Sequence, residues 1–343
     1  MNNILEVRNL KTHFHMHGYT VRAVDGVDFE LGEGETLGIV GESGCGKSQT
    51  SMSIMRLVPD PPGRIEDGRV IFRGTDLLKV SEPAMRRIRG NNISMIFQEP
   101  MTSLNPVYSV GYQISEVLML HRDMSKQEAL KESARLLALV GMSDPEERVY
   151  EYPFQLSGGL RQRAMIAMAM ACEPDIMIAD EPTTALDVTI QAQILRLMGE
   201  LKARTGTSIM FITHDLAVIA SFSDRVMVMY AGVVVEQSSV REIFKKPMHP
   251  YTQGLLGSIP VLGEVKRNPD GSRRLLNAIP GSLPDHRNFP KGCRFAPRCR
   301  KVMAKCWDAE PALVHTEEGH QVRCYLYSDA VREAPVAVET RSE

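Results

Sequence analysis

The sequence predicts an α/β fold, with a largely parallel sheet flanked by helices and a small second module near the C-terminus. Four short apolar runs, TLGIVG, ISMIFQ, DIMIAD and SIMFIT, are typical of strands that are buried on both faces. The segments ILEVRNL and VRAVDGVDFEL alternate apolar and polar residues, as half-buried strands do. Helical segments lie between these strands, and this alternation indicates parallel connections.

The clearest helical segment is SKQEALKESARLLALVG. Ser125 and Glu128 stand at the spacing of a capping box, and apolar residues then recur at intervals of three and four. Gly141 stands where a glycine commonly ends a helix. We therefore predict a helix between Ser125 and Gly141.

Composition excludes several classes of protein. The chain has 343 residues, 43% of them hydrophobic, and a net charge of −2, so bulk attraction to nucleic acid or anionic lipid is not expected. The first residues, MNNILEVRNLKTHFHMHG, lack the pattern of a signal peptide. The most apolar stretches, AMIAMAMAC and RVMVMYAGVVV, are shorter than the roughly 20 residues that a membrane helix needs. We expect a cytosolic chain that does not span a bilayer.

Residues Gly41 to Ser48, GESGCGKS, match the phosphate-loop pattern G-x-x-x-x-G-K-[ST]. The motif follows a predicted strand and precedes a helical segment, which is the context that such a loop requires. Its backbone N–H groups and the helix N-terminus favour phosphate. Lys47 would reach the β- and γ-phosphates of a nucleotide, and Ser48 would bind Mg²⁺. A chance glycine-rich turn is the alternative, and the flanking strand and helix argue against it.

The segment DIMIADEP predicts the second half of a nucleotide site. Asp180 ends a buried strand, where its carboxylate can hold Mg²⁺ through water. Glu181 follows it, in a position to orient the attacking water or to accept its proton. Acidic pairs at strand ends also serve as helix caps, but beside a phosphate loop the catalytic interpretation is favoured.

The segment LSGGLRQR, residues 156–163, resembles the signature motif of ATP-binding-cassette (ABC) ATPases. Other motifs of that family follow in the same order: Gln98 resembles the Q-loop glutamine, Asp187 the D-loop aspartate and His214 the switch histidine. Phe14 is similar in position to the aromatic residue that stacks on adenine, with Tyr19 as an alternative. The resemblance implies an ABC-type ATPase whose parallel core sheet is joined by antiparallel strands and a helical subdomain.

Taken together, the motifs and the resemblance assign three sets of site residues. Catalysis is assigned to Glu181 and His214, and Mg²⁺ to Ser48, Gln98 and Asp180. The residues expected to bind ATP are Phe14, Gly41, Ser43, Gly44, Cys45, Gly46, Lys47, Ser48, Gln49, Gln98, Ser157, Gly158, Gly159 and Asp187.

The signature residues also predict a dimer. Ser157, Gly158 and Gly159 precede the apolar helix LRQRAMIAMAMA, so a hydroxyl and bare amides lie at a helix N-terminus, which favours an anion. In the family this motif binds the γ-phosphate held by the phosphate loop of a partner. Because this chain carries one loop and one signature, the resemblance implies that it dimerises to hydrolyse ATP.

Four further segments, EPMTSLNP, YAGVVVEQ, HPYTQGLL and the tail IPGSLP…KGCRFAPRC, resemble the ATPase subunit of bacterial dipeptide/oligopeptide importers. That group also contains nickel, opine and glutathione importers. The resemblance implies two non-identical ATPases, two transmembrane permease subunits, an extracytoplasmic solute-binding protein and a peripheral position on the cytoplasmic face of the membrane.

The resemblance also suggests an ATPase domain at 1–258, with a helical subdomain at about 100–172, and a C-terminal extension at 259–343. A soluble repair- or translation-type ABC protein, or a regulatory or electron-carrying module built on the cysteines, is the alternative.

Four of the six cysteines, Cys293, Cys299, Cys306 and Cys324, fall in the last part of the chain with the spacing C-x5-C-x6-C-x17-C. This spacing is neither that of a zinc ribbon nor that of a ferredoxin, so it does not identify a metal. Free thiols and a zinc site remain alternatives. The resemblance favours a 4Fe–4S cluster, because some peptide-importer ATPases carry one. We expect such a cluster to stabilise a poorly cored extension.

Overall fold

The computed structural model describes residues 2–98, 103–184, 186–259, 279–316 and 319–328. Within these ranges the strands are β1 (Asn3–Met16), β2 (Tyr19–Gly32), β3 (Thr36–Val40), β4 (Gly63–Phe72), β5 (Thr75–Asp76), β6 (Ile93–Ile96), β7 (Ile176–Asp180), β8 (Ser208–Ile212), β9 (Arg225–Tyr230), β10 (Val233–Ser239), β11 (Val314–His315) and β12 (Gln321–Val322).

The strands form two sheets. The larger has eight strands in the order β11-β12-β10-β9-β3-β8-β7-β6, and the smaller has four in the order β2-β1-β4-β5. In the larger sheet β6, β7, β8, β3 and β9 are parallel, whereas β10, β12 and β11 join one edge antiparallel. The smaller sheet is antiparallel throughout. The predicted α/β fold is confirmed, with a mixed core sheet.

The continuous apolar runs form the centre of the larger sheet. Every residue of β3, β7 and β8 is buried, because these strands have covered faces on both sides. Neighbouring residues of one strand therefore contribute to different cores: Ile176 and Ile178 belong to one apolar cluster, and Met177 and Ala179 to the other. The alternating segments form β1 and β2, which pair in the smaller sheet as half-buried strands.

The described helices surround the larger sheet. They are α1 (Lys47–Ile54), α2 (Glu82–Ile88), α3 (Val110–Arg122), α4 (Lys126–Leu139), α5 (Pro145–Arg148), α6 (Gly158–Met170), α7 (Val188–Thr205), α8 (Leu216–Phe222), α9 (Val240–Lys245), α10 (Pro250–Gly257) and α11 (Lys305–Asp308), with 3₁₀ turns at Pro153–Gln155 and Ala296–Arg298. The predicted helix after Ser125 is confirmed as α4. Its capping box is formed by Ser125 and Glu128, and Gly141 beyond its end has a φ of +74°.

Helices α3 to α5 lie within the segment expected to be a helical subdomain. Helices α3 and α4 are joined by a buried hydrogen bond between the hydroxyls of Ser115 and Ser133, 2.9 Å apart. Apolar residues of both helices, such as Ile114 and Leu136, pack in the same cluster as α6. These contacts join the three helices into one packed unit.

The C-terminal extension is not confirmed as a separate cysteine-rich module. Its strand β12 pairs with β10, so the described part of the extension widens the larger sheet. Arg294 forms an ion pair with Asp25 of β2 at 2.6 Å, and Arg323 donates to the carbonyl oxygen of Val234 at 2.8 Å. The described part of the extension packs on the first domain through main-chain pairing and through the side chains of Arg294 and Arg323. Residues 260–278 and 329–343 of the extension lie outside the described residues.

Candidate functional site

The phosphate loop connects β3 to α1, as its motif predicts. Gly46 has a φ of +105°, and a Cβ atom there would lie 2.4 Å from the carbonyl oxygen of Ala23. Only glycine fits this position, since both the backbone conformation and the close approach exclude a side chain. The loop thus leaves β3, passes over β2 and brings its amides to the N-terminus of α1, which is where phosphate is favoured.

Lys47 lies across the loop. Its side chain is buried, and Nζ donates hydrogen bonds to the carbonyl oxygens of Gly41 at 2.8 Å and Glu42 at 3.1 Å. These acceptors hold the ammonium group against the backbone of the loop. Cys45 is fully buried, and burial raises the pKa of its thiol, so it acts as a small packing residue within the loop.

Asp180 lies beside Ser48, at the carboxyl end of β7. Its carboxyl is buried, and burial raises its pKa while a hydrogen bond from the Ser48 side chain opposes the rise. The Oδ1 atom is buried and has no hydrogen-bond partner within the described part of the chain. A buried, unpaired carboxylate oxygen beside a hydroxyl suits a hard divalent cation with oxygen ligands. These residues therefore fit Mg²⁺.

Glu181 stands at the centre of a polar cluster. Its Oε2 accepts hydrogen bonds from Gln98 Nε2 at 3.2 Å and from Thr184 Oγ1 at 2.9 Å, and its Oε1 lies 3.3 Å from His214 Nδ1. Its φ is +46°, which is uncommon for a residue with a side chain and is often found at functional sites. The structure thus brings together Gln98, Glu181 and His214, which the sequence placed in three separate motifs.

Thr184 is a member of this cluster that sequence reasoning missed. The sequence feature that could have identified Thr184 is its position three residues after Glu181, from which a hydroxyl can donate to the Glu181 carboxylate. Asp187, assigned to the D-loop, lies at the N-cap of α7, and its Oδ1 accepts from the backbone N–H of Ile190 at 3.0 Å. Its described contacts are those of a helix cap.

The signature residues form the exposed N-terminus of α6. Ser157 is the N-cap and accepts from the backbone N–H of Leu160 at 3.4 Å, while a Cβ atom on Gly158 would meet only Leu186, at 3.8 Å. Among the described contacts, none joins this motif to the phosphate loop of the same chain. The signature therefore faces solvent, available to another molecule.

The two candidates for adenine stacking lie on neighbouring strands. Phe14 is in β1, and its ring lies against Gly63, where an added Cβ atom would approach Phe14 Cε1 to 2.7 Å. Tyr19 begins β2, is 42% exposed, and has the guanidinium group of Arg287 at 5.6 Å from its ring centre. The choice between the two residues stays a prediction.

The four cysteines of the extension line one small cavity, of about 10 Å³, together with residues such as His249 and Phe295. All four are free thiols. Burial raises the pKa of Cys293 to about 11 and raises those of Cys299 and Cys324. Within the described ranges, no three His, Cys, Asp or Glu side chains are grouped as the ligands of one metal ion. The thiols converge, but without ligand geometry.

Two family models match the chain. Residues 24–184 match the ABC transporter family, and residues 235–306 match the C-terminal region of oligopeptide/dipeptide transporters. The first match contains the phosphate loop, the signature and Glu181. The second contains Cys293, Cys299 and Cys306.

Similar proteins match over nearly the whole chain. The oligopeptide transport ATP-binding protein AppD of Bacillus subtilis (strain 168) is 54% identical over 329 residues, which cover 96% of this chain and 98% of AppD. The dipeptide transport ATP-binding protein DppD of the same strain is 50% identical over 341 residues, covering 99% of this chain and all of DppD.

Solved structures show the same cassette. The dimeric post-hydrolysis ATP-binding cassette MJ0796, bound to ADP and Pi, has a TM-score of 0.62 and 27% identity, covering 69% of this chain and 99% of MJ0796. The cbiO1 structure from Clostridium perfringens, part of the ABC transporter complex cbiONQ, has a TM-score of 0.60 and 26% identity, covering 72% of this chain and 92% of cbiO1. The chain therefore belongs to the ABC transporter ATPases, in the group of the oligopeptide/dipeptide importer ATP-binding subunits.

Proposed function

We propose that the chain is the ATP-hydrolysing subunit that energises a bacterial importer of di- and oligopeptides. The observation that carries this proposal is the full-length similarity to AppD and DppD, which are named as oligopeptide and dipeptide transport proteins. The phosphate loop and the cluster of Gln98, Glu181 and His214 support it. The match of residues 235–306 to the peptide-transporter C-terminal region supports a peptide over other solutes. The soluble repair- or translation-type alternative lacks this support.

The residues at the site have different roles in ATP hydrolysis. Lys47, positioned by the carbonyl oxygens of Gly41 and Glu42, would donate to phosphate oxygens, and the loop amides would hold the remaining phosphate charge. Ser48, Gln98 and Asp180 would hold Mg²⁺, which when bound would neutralise part of the negative charge of the phosphates. Other loop residues assigned to ATP are Ser43, Gly44 and Gln49.

Glu181 orients the attacking water. Gln98 and Thr184 hold one oxygen of its carboxylate, which leaves the other, beside His214, to accept a hydrogen bond from water. His214 would also contact the γ-phosphate, which couples the phosphate to the position of Glu181. This geometry supplies positioning and electrostatic stabilisation, which account for most of the catalysis of phosphoryl transfer.

A second ATPase subunit completes the site. Among the described contacts, none joins the signature of Ser157, Gly158 and Gly159 to the phosphate loop of the same chain. The signature instead presents an anion-binding helix N-terminus to solvent. We propose that two subunits enclose two ATP molecules, each between one loop and the partner's signature. The partner is a non-identical ATPase, as in importers of this group.

The membrane partners are two permease subunits and an extracytoplasmic binding protein. No helix among the described residues is long and apolar enough to cross a membrane. Exposed aromatic side chains lie in the helical region, where Tyr108 stacks on Tyr112 and Tyr152 on Phe154. We propose that this surface docks on the permease at the cytoplasmic face of the membrane.

The cysteines of the extension are proposed to hold a 4Fe–4S cluster, with zinc as the alternative. Support comes from their convergence on one cavity, since four thiols are the donor set of such a cluster. The four ligands would be Cys293, Cys299, Cys306 and Cys324. When bound, the metal would supply cross-links that stabilise the extension.

Reconstitution tests the proposed function. The chain is purified with its partner ATPase and permease subunits, placed in proteoliposomes and supplied with the binding protein. Uptake of a labelled oligopeptide should then require ATP and this chain, and should fail with Lys47→Ala. Uptake of nickel, an opine or glutathione in place of peptide would refute the peptide assignment, and ATPase activity indifferent to the permease would refute the transport role.

A further inference from the structure

Glu42, the second residue of the phosphate loop, is held by the C-terminal extension. The Arg298 guanidinium group donates one hydrogen bond to each oxygen of the Glu42 carboxylate, at 2.7 and 2.9 Å. The side chain of Arg298 is only 6% exposed. Two parallel bonds from a buried guanidinium group fix both the distance and the orientation of the carboxylate.

The main chain of Glu42 is held as well. Its backbone N–H donates to the hydroxyl of Tyr251 at 2.9 Å, and Tyr251, in α10, is fully buried. Arg298 also donates to the carbonyl oxygen of Pro280 at 2.8 Å, which fixes the guanidinium group from behind. Glu42 therefore has little freedom to move apart from the extension.

An aromatic cluster sets the positions of both anchors. Tyr230 lies with its ring centre 4.7 Å from that of Tyr251 and 5.2 Å from that of Phe295, with an edge-on angle of 86° to Phe295. Phe295 precedes the 3₁₀ turn that ends at Arg298. Tyr230 ends β9, which pairs with β3, the strand that enters the phosphate loop. The anchors are thus packed rigidly against the sheet that carries the loop.

The position of Glu42 matters for ATP binding because its carbonyl oxygen helps to position Lys47. Lys47 Nζ donates to the carbonyl oxygen of Glu42 at 3.1 Å, so a displacement of Glu42 moves an acceptor that holds the lysine over the site. It also shifts the amides that would contact phosphate. Displacements of about 1 Å in such sites can lower rates by about 100-fold.

We propose that Arg298 is a positioning residue of the ATP site: through Glu42, and with Tyr251, the C-terminal extension holds the phosphate loop in the geometry that binds ATP. This inference rests on the ATPase function proposed above. It gives the extension a part in nucleotide binding, at a loop that lies about 250 residues earlier in the chain.

Nucleotide titrations of the full chain test the proposal. Arg298→Met removes the guanidinium fork but keeps an unbranched side chain, and the dissociation constant for Mg·ATP, followed with a fluorescent ATP analogue, should rise about tenfold. Arg298→Lys restores the charge without the fork and should recover part of the affinity. Glu42→Gln should resemble Arg298→Met, and the double variant should lose no more than either alone, because both changes break one contact.

Arg294→Met is the matched control. Arg294 is equally buried and anchors the same extension, but to Asp25 rather than to the loop, so ATP affinity should remain at the parent value. Parent affinity in Arg298→Met, with folding checked by circular dichroism, would overturn the proposal, as would an equal loss in Arg294→Met. Failure of the parent chain to bind ATP would instead refute the proposed function.

Discussion

The Oε1 atom of Glu181 lies 3.3 Å from Nδ1 of His214, although 33 residues separate them in the chain. The pair forms because β7 and β8 are adjacent and parallel, so the segments that follow them leave the same edge of the sheet. Glu181, which follows β7, therefore contacts His214 in the loop that follows β8. This position is the basis for the proposal that Glu181 acts on the water that attacks the γ-phosphate.

Replacement of this carboxylate should separate binding from hydrolysis. Glu181→Gln keeps the shape of the side chain but removes the charge that orients water, so turnover should fall by about 10³-fold or more while ATP affinity is retained. Trapped ATP should hold the ATPase dimer closed, which size-exclusion chromatography detects. Glu200→Gln, at an exposed position of α7, is the control and should behave like the parent. A normal rate in Glu181→Gln would show that another group acts on the water.

The docking surface predicts a variant that uncouples transport. Tyr108, just before α3, is 47% exposed and stacks on Tyr112 within α3. Tyr108→Asp therefore places a charge in the apolar part of the proposed docking surface. Peptide uptake should be lost, whereas basal ATPase activity of the chain purified with its partner ATPase should stay near the parent value. Leu120→Asp changes an exposed apolar residue about 15 Å further along α3 and should affect uptake less. Equal loss of uptake and basal ATPase activity in Tyr108→Asp would point to misfolding instead.

The cysteine cavity predicts a coloured protein. Anaerobic purification should give a brown chain with about four irons, and Cys299→Ser or Cys306→Ser should remove the colour. Loss of the cluster should also make the extension more sensitive to protease. Cys172→Ala, a buried thiol outside the cavity, should keep the colour. A colourless anaerobic preparation with about one zinc per chain would decide for zinc, and one without metal for free thiols.

The ion pair between Asp25 and Arg294 should make stability depend on acid. Burial opposes ionisation of Asp25, but hydrogen bonds and charge from Arg294 and His13 outweigh it and lower the pKa of the carboxyl. A lowered pKa in the folded state stabilises the protein above the unfolded pKa, and this contribution is lost as the pH falls through the folded value. Asp25→Asn should therefore lower the free energy of unfolding at pH 7 by about 3 kcal/mol.

Urea titrations at several pH values check this expectation. The difference between parent and Asp25→Asn should be full at neutral pH and begin to shrink below about pH 4, where the carboxyl of the unfolded chain becomes protonated. It should disappear as the pH falls through the lowered pKa of Asp25 in the folded protein. Asp285→Asn, an exposed carboxylate paired with Arg287, is the control and should change stability little. A difference that does not vary with pH would show that packing, and not charge, holds this contact.

Local patterns predicted the elements of the fold because they reflect local requirements. The apolar runs of β3, β7 and β8 and the capping box of α4 depend on neighbours within a few residues. The extension was harder to predict, since its pairing of β12 with β10 and its ion pair from Arg294 join segments far apart in the chain. Such long-range contacts do not produce a periodic pattern of apolar residues that could be recognised in the sequence.

The sequence by itself determined the chemistry: a phosphate loop, a carboxylate pair and a signature can be recognised because each is a short run whose backbone and side chains act together. Tertiary structure decided which groups meet. It placed Thr184 and His214 on the same carboxylate as Gln98, and it placed Arg298 against Glu42 of the phosphate loop. The physical reason is that parallel strands collect the ends of distant segments at one edge, whereas sequence patterns record only what neighbouring residues require.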